Sequence, residues 1–259
     1  MIETGDSHIE LSIDGHIASI RINRPEKLNA LDYSMVQALE RAAVLADGNN
    51  EVRAVILTGA GDRSFCAGGD IEAWAGWSPE DFAMKWVRLG HRAFDALARL
   101  RHPLIAAING HCLGGGLELA VTADFRIAEE HVKFGQPESG LGIIAGWSGT
   151  QRAVRRFGIQ AVRRMALGGE ILQAGEALSL GLVDKVVGKG GSVAAAIDMA
   201  QGIAARSPQA TRLTKLLLNM SEGEESEAAA EALGGFIAAS STDLAVGLDA
   251  FRKKQKPKF

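Results

Sequence analysis

Cysteine is nearly absent from this 259-residue chain, which holds two, Cys66 and Cys112. They form no Cys-x-x-Cys pair and follow no secretory leader, so a disulfide framework is not expected and a reduced compartment is favoured. Proline is also sparse, six against 31 glycines, while 47% hydrophobic and 23% charged residues are ordinary for a globular protein. Disorder is excluded, and many tight backbone approaches are implied. Charge of one sign is missing as well. A formal net charge of −3 offers no uniform field for nucleic acid, despite a local cluster of Arg152, Arg155, Arg156, Arg163 and Arg164. The longest charge-free run, residues 102–117, contains Asn109 and four glycines and is too short to cross a bilayer. The acidic start Met1-Ile2-Glu3-Thr4-Gly5-Asp6 is unlike a signal or transit peptide, so a cytoplasmic location is expected.

Several chemistries lack their signatures. His8, His16, His91, His102, His111 and His131 show none of the paired spacings of zinc sites, and no metal is expected. There is no phosphate loop, and no dinucleotide fingerprint follows the first strand. Gly146-Trp147-Ser148-Gly149-Thr150 approaches a nucleophile elbow but ends in Thr150 and follows no clear strand, so Ser148 reads as a helix-start residue. The two cysteines fit best as small apolar fillers.

What is present is an alternation of strands and helices. Residues 8–13, the turn Asp14-Gly15, and Ile17, Ile20 and Ile22 make a hairpin. A helix is expected over 34–46, a buried strand over 52–58, a loop over 59–69, and a long helix over 79–100. The pattern repeats with a strand at 103–108, a loop at 109–115 and a helix at 116–123. Short strands at 125–128 and 132–134 and helices over 149–157 and 160–167 follow. This is an α/β pattern. From residue 192 the strand signals stop, so the expected division is an α/β core over 1–191 and a helical region over 192–259.

Two glutamates stand beside glycine-rich turns, in Cys112-Leu113-Gly114-Gly115-Gly116-Leu117-Glu118 and in Phe134-Gly135-Gln136-Pro137-Glu138. Glu118 falls in the first turn of a helix opening from the glycines. Free N–H groups there can hold a developing oxyanion, while the same helix end favours an ionised carboxylate. A second glycine pair, in Ser64-Phe65-Cys66-Ala67-Gly68-Gly69-Asp70-Ile71, can supply a converging N–H if the two loops face each other. Each piece alone also reads as ordinary packing: a tight turn, a strand-to-helix connection, a solvated loop glutamate. Together they suit acid–base chemistry beside an oxyanion site.

These segments occur in order with Arg24-Pro25-Glu26-Lys27-Leu28-Asn29-Ala30-Leu31, Gly149-Thr150-Gln151-Arg152 and residues 177–184. So combined, the chain resembles the enoyl-CoA hydratase/isomerase, or crotonase, family over almost its whole length. The resemblance implies a crotonase-like spiral of strand-strand-helix units with a C-terminal helical trimerisation region. It implies Gly69 and Gly115 as the oxyanion hole for an acyl-CoA thioester, Glu138 acting on the α-carbon and Glu118 activating water. Both glutamates of the hydratase subgroup are matched, which favours reversible hydration of a 2-enoyl-CoA over enoyl-CoA Δ-isomerisation or mere acyl-CoA binding. No cofactor is implied, since CoA enters with the substrate. Lys27, Ala67, Asp70, Ile71, Trp147, Phe251 and Lys254 fall where the family contacts CoA or substrate, the last two from a neighbouring subunit of a trimer or dimer of trimers. Where family hydratases usually read Pro-Gly-small-Gly-Gly-Thr-Gln, this chain reads Ala145-Gly146-Trp147-Ser148-Gly149-Thr150-Gln151. Trp147, with Trp74, Trp77 and Trp86 nearby, is therefore expected to narrow or reshape the acyl pocket.

Overall fold

The computed structural model describes residues 1–259. A hairpin of β1 (Ile9–Asp14) and β2 (Ile17–Ile22) leads to α1 (Tyr33–Gly48), whose N-cap Asp32 accepts from the Met35 N–H. Next come β3 (Ala54–Gly59), β4 (Ser64–Cys66), α2 (Pro79–Asp81), a π-helical segment Phe82–Val87, and α3 (Arg88–Ala98). The chain continues through β5 (Leu104–Ile108), β6 (His111–Leu113), α4 (Gly115–Ala120), β7 (Phe125–Glu129), β8 (Lys133–Gly135) and a short 3-10 turn, Pro137–Leu141. Then follow α5 (Gln151–Phe157), α6 (Ile159–Ala166), β9 (Leu172–Gln173), α7 (Ala174–Ser179), β10 (Lys185–Val187) and α8 (Ser192–Ala204). The last helices are α9 (Pro208–Ser221), α10 (Ser226–Ala239) and α11 (Thr242–Arg252).

Successive strands alternate between two sheets. The larger runs β1-β2-β3-β5-β7-β10 and is parallel from β2 onward; the smaller runs β4-β6-β8-β9. Each of the pairs β3/β4, β5/β6 and β7/β8 thus gives one strand to each sheet, and the loops of the smaller sheet gather at the same place. The smaller sheet was not expected, because strands of two or three residues are too short to show a period. Ser64–Cys66 and His111–Leu113 read as loop in the sequence yet pair with each other.

Side-chain alternation explains why β3 and β5 are apolar throughout. Val55, Leu57, Leu104, Ala106 and Ile108 enter the main core, whereas Ala54, Ile56, Ile105 and Ala107 face a second cluster completed by Ala196 and Ala200 of α8. A parallel strand covered on both faces has no polar side to show. That packing also moves the expected boundary: α8 belongs with the sheet. The chain divides into compact units Met1–Arg212 and Leu213–Phe259 rather than at 191/192. In the second unit Phe236, Ile237, Leu244, Leu248 and Phe251 are exposed. No helix is long and apolar enough to cross a membrane.

The expected helix over 79–100 is interrupted. Its Phe82–Val87 stretch takes π geometry, a widened turn frequent at functional sites, and Phe82, Trp86 and Val87 line the cavity described next. Ser148 stands just ahead of α5: with φ of 81° it is not helical itself, but its carbonyl accepts from the Arg152 and Ala153 N–H groups of the first turn.

Candidate active site

The loop after β3 is pinned before it reaches its glycines. Asn109 Nδ2 donates to the carbonyls of Gly59 (2.8 Å) and Gly61 (2.6 Å), and Asn29 Nδ2 donates to those of Ala60 and Ser64. The β4 strand then lies so close to α4 that a Cβ on Gly116 would stand 1.9 Å from the Cys66 carbonyl oxygen. Glycine is required there by backbone contact. The two glycine loops consequently touch: a Cβ on Gly68 would be 3.1 Å from the Gly115 nitrogen. Neither the Gly69 nor the Gly115 N–H donates to any group of the chain. Both residues line one cavity of about 90 Å³ together with Ala67, Ile71, Glu118, Glu138 and Trp147.

Glu118 is buried in the first turn of α4. Its Oε1 accepts from two backbone donors, the Trp147 and Gly149 N–H groups, each at 2.6 Å. Burial pushes its carboxyl up from the ordinary 4.5 to about 8, and the Glu138 charge adds to the rise; the two N–H donors and Arg152 oppose it. Glu138 sits on the 3-10 turn and is also buried, which raises its carboxyl above the usual range. Its Oε2 has no partner. Gly114, at φ 54° and ψ −127°, lets this carboxyl approach, since a Cβ there would lie 2.9 Å from Glu138 Oε1. Gly149 is similarly compelled, by Gln136 Nε2 and by Glu118 Cγ at 2.8 Å from its would-be Cβ. Gln136 Nε2 in turn donates to the Gly149 carbonyl.

Trp147 is buried with its indole flat on backbone: a Cβ on Gly90 would stand 1.9 Å from Nε1, and one on Gly115 2.9 Å from Cζ3. Its ring packs against Trp86 (centroids 4.9 Å) and Phe94 (5.0 Å), and Nε1 donates to the Trp86 carbonyl. Trp77 reaches Trp86 from the other side, while Trp74 packs on Phe82 and lines the cavity. The remaining wall is apolar, from Ile71, Val87, Leu141, Ile143 and Ile144. Burial holds the Cys66 thiol at about 12, in keeping with an inert filler behind the loop.

Other sequence-selected residues are not among those that line this cavity. Asp70 does not line it; its carboxylate accepts from Arg24 Nη1 at 2.9 Å and caps Glu72. Lys27 is exposed on the turn Pro25–Lys27, and Phe251 and Lys254 are exposed in the second unit. The sequence reading missed the Trp147 and Gly149 N–H groups and Gln136, because residue type carries no sign of where a backbone N–H points. It also missed a second cavity, of about 360 Å³, which shares Ala67 and is bordered by Arg63, His111, His131 and Lys189, with Asp62 paired to Lys189.

Comparison with known proteins gives the family. Residues 12–259 match the family described as enoyl-CoA hydratase/isomerase. The chain is 39% identical over 213 residues to a short-chain-enoyl-CoA hydratase of Clostridium acetobutylicum, covering 82% of this chain and 81% of that one. It is 35% identical to a crotonyl-CoA hydratase of Syntrophomonas wolfei over 97% of both. The crystal structure of an enoyl-CoA hydratase from Bacillus anthracis superposes with a TM-score of 0.80 at 33% identity, covering 98% of this chain and 99% of that one. The chain belongs to the enoyl-CoA hydratase/isomerase family.

Proposed function

We propose that this protein hydrates a 2-enoyl-CoA thioester reversibly to the 3-hydroxyacyl-CoA. The observation that carries the reading is the convergence in one apolar cavity of two buried glutamates and two glycines whose N–H groups have no partner. The Gly69 and Gly115 N–H groups hold the thioester oxygen as enolate charge develops on it. Glu118, steadied through Oε1, takes a proton from the water that attacks C3 through its other oxygen. Glu138 delivers a proton to C2. Water is consumed whole, its oxygen bonding C3 and one hydrogen equivalent reaching C2. No cofactor takes part, because the thioester itself stabilises the carbanion.

The cavity of about 90 Å³, floored by Trp147, favours a short acyl group, the class named for the Clostridium and Syntrophomonas relatives. Arg63, His111, His131 and Lys189 around the adjoining cavity, with exposed Lys27, suit the phosphates of CoA. The exposed apolar residues of the second unit support assembly into a trimer or a dimer of trimers. In that assembly Phe251 and Lys254 serve a neighbour's CoA end, and the enzyme acts in the cytoplasm.

The test is loss of the conjugated-thioester absorbance of crotonyl-CoA. Hydration is expected at an enzymatic rate. An enzyme restricted to double-bond migration would instead convert a 3-enoyl-CoA and leave crotonyl-CoA intact. A monomer on sedimentation would overturn the assembly without touching the chemistry.

A further inference from the structure

The segment that holds Glu118 turns on one residue in a conformation its side chain does not favour. Ser148, with φ of 81°, lies between the two N–H groups that meet on Glu118 Oε1. A left-handed residue between two others points their N–H groups to one side, forming a concave anion site. Glycine takes that conformation freely; a residue with a Cβ is disfavoured in it. Ser148 is nevertheless buried there, and its Oγ lies 3.2 Å from Nδ1 of His91 on α3. Neighbouring residues of the same helix grip the same segment: Gly90 and Phe94 seat the Trp147 ring, and Asp95 Oδ1 accepts from Arg152 Nη2 at 2.6 Å.

We propose that Ser148 and His91 are a positioning pair for Glu118: their side-chain hydrogen bond ties the left-handed turn to α3 and aims the Trp147 and Gly149 N–H groups at Oε1. Neither residue touches substrate. The inference rests on the assignment of Glu118 as the group that activates water. It explains why a serine can occupy a position suited to glycine: the hydroxyl supplies a tether that glycine lacks. Strain in the backbone is offset by fixed placement of the carboxylate.

Ser148→Gly separates this from a purely structural role, because it relieves the backbone while cutting the tether. The melting temperature should hold or rise, while kcat for crotonyl-CoA falls about threefold to tenfold, the scale of one lost hydrogen bond, with KM within about twofold. His91→Leu should give the same kcat loss. His91→Asn, whose side-chain amide can stand near the Nδ1 position, should recover most of it. The pair Ser148→Ala with His91→Leu should be no worse than either alone, as expected of two residues sharing one interaction. Unchanged kcat in Ser148→Gly and His91→Leu, multiplicative losses in the double variant, or losses explained wholly by less folded protein would overturn the proposal. Glu118→Gln run beside them separates the two readings. If it is inactive while Ser148→Gly and His91→Leu are normal, only the positioning role fails; if it is active, the role of Glu118 fails too.

Discussion

Glu118 commits one carboxyl oxygen to two backbone donors at 2.6 Å, whereas Glu138, across the same cavity, has a buried Oε2 with no partner. Glu118 stands on α4 and is held by a segment braced on α3; Glu138 stands on a five-residue 3-10 turn preceded by extended chain. Each environment penalises charge, because both carboxyls are buried. At Glu118 two N–H donors from another segment and Arg152 counter the penalty, whereas at Glu138 only its own backbone N–H does. The difference suits the roles proposed above: a group that orients a small water molecule gains from being fixed in advance, and one that follows a carbon atom through proton transfer gains from an oxygen left uncommitted.

The largest expected effect comes from removing either carboxyl. Glu118→Gln and Glu138→Gln should each keep the fold and lower hydration by at least about a hundredfold, the scale of a lost general acid or base. Isomerisation of a 3-enoyl-CoA sharpens the comparison. If Glu138 handles the C2 proton, Glu118→Gln should retain more isomerase activity than Glu138→Gln. The opposite ranking, read from initial rates, would exchange the two roles.

Stability against pH probes the carboxyls without substrate. Glu118 rises from 4.5 to about 8 on folding, so between those values the folded chain binds more protons than the unfolded one. Its contribution is fully present below pH 4.5 and is lost as pH climbs through about 8. Glu118→Gln should remove that slope and gain on the parent protein in alkaline solution, by a few kcal/mol at most given about 1.4 kcal/mol per unit. Urea unfolding from pH 5 to 9, on the order of the range that matters, reads this directly; parallel curves for the parent and variant would sink it. Glu138→Gln should change the slope with the same sign, since burial raises that carboxyl as well.

Gly114→Ala bears most directly on the Glu138 side, although Gly114 also caps α4. It forces a Cβ to 2.9 Å from Glu138 Oε1 at a backbone conformation reserved for glycine. A cost of about 1–3 kcal/mol is expected from the backbone. Hydration should fall about tenfold, less than on losing the carboxyl itself, while the N–H bonds to Glu118 persist. Calorimetry and kcat check the two parts, and full activity would show that the Gly114 contact does not govern Glu138.

Much of this division was written in residue types. The glycines at 68, 69, 114 and 115 flagged two loops that meet at one cavity, and Glu118 and Glu138 were visible as carboxylates beside them. The apolar runs of β3 and β5 announced buried strands. Of the smaller sheet only the strand near 132–134 was legible; β4, β6 and β9 were not, since their pairing depends on partners distant in the chain, and the π turn at Phe82–Val87 was hidden within a helical pattern. Asp70 was set among the CoA or substrate contacts by the resemblance, and its bond with Arg24 was not legible in the sequence.

The smallest effect separates the two parts of Trp147, whose N–H donates to Glu118 and whose indole lines the cavity proposed to take the acyl group. Trp147→Phe keeps the N–H and the aromatic contact with Phe94 but removes ring volume and the Nε1 bond to the Trp86 carbonyl. Hydration of crotonyl-CoA should stay near the parent rate because the support of Glu118 is backbone. Longer enoyl thioesters should gain about threefold to tenfold in relative kcat/KM, the discrimination expected from a small change in an apolar pocket. A stability loss of about 1 kcal/mol accompanies the missing hydrogen bond. If short and long substrates change equally, the indole acts in packing rather than selection; if crotonyl-CoA turnover alone collapses, the side chain rather than the backbone is what keeps Glu118 in place.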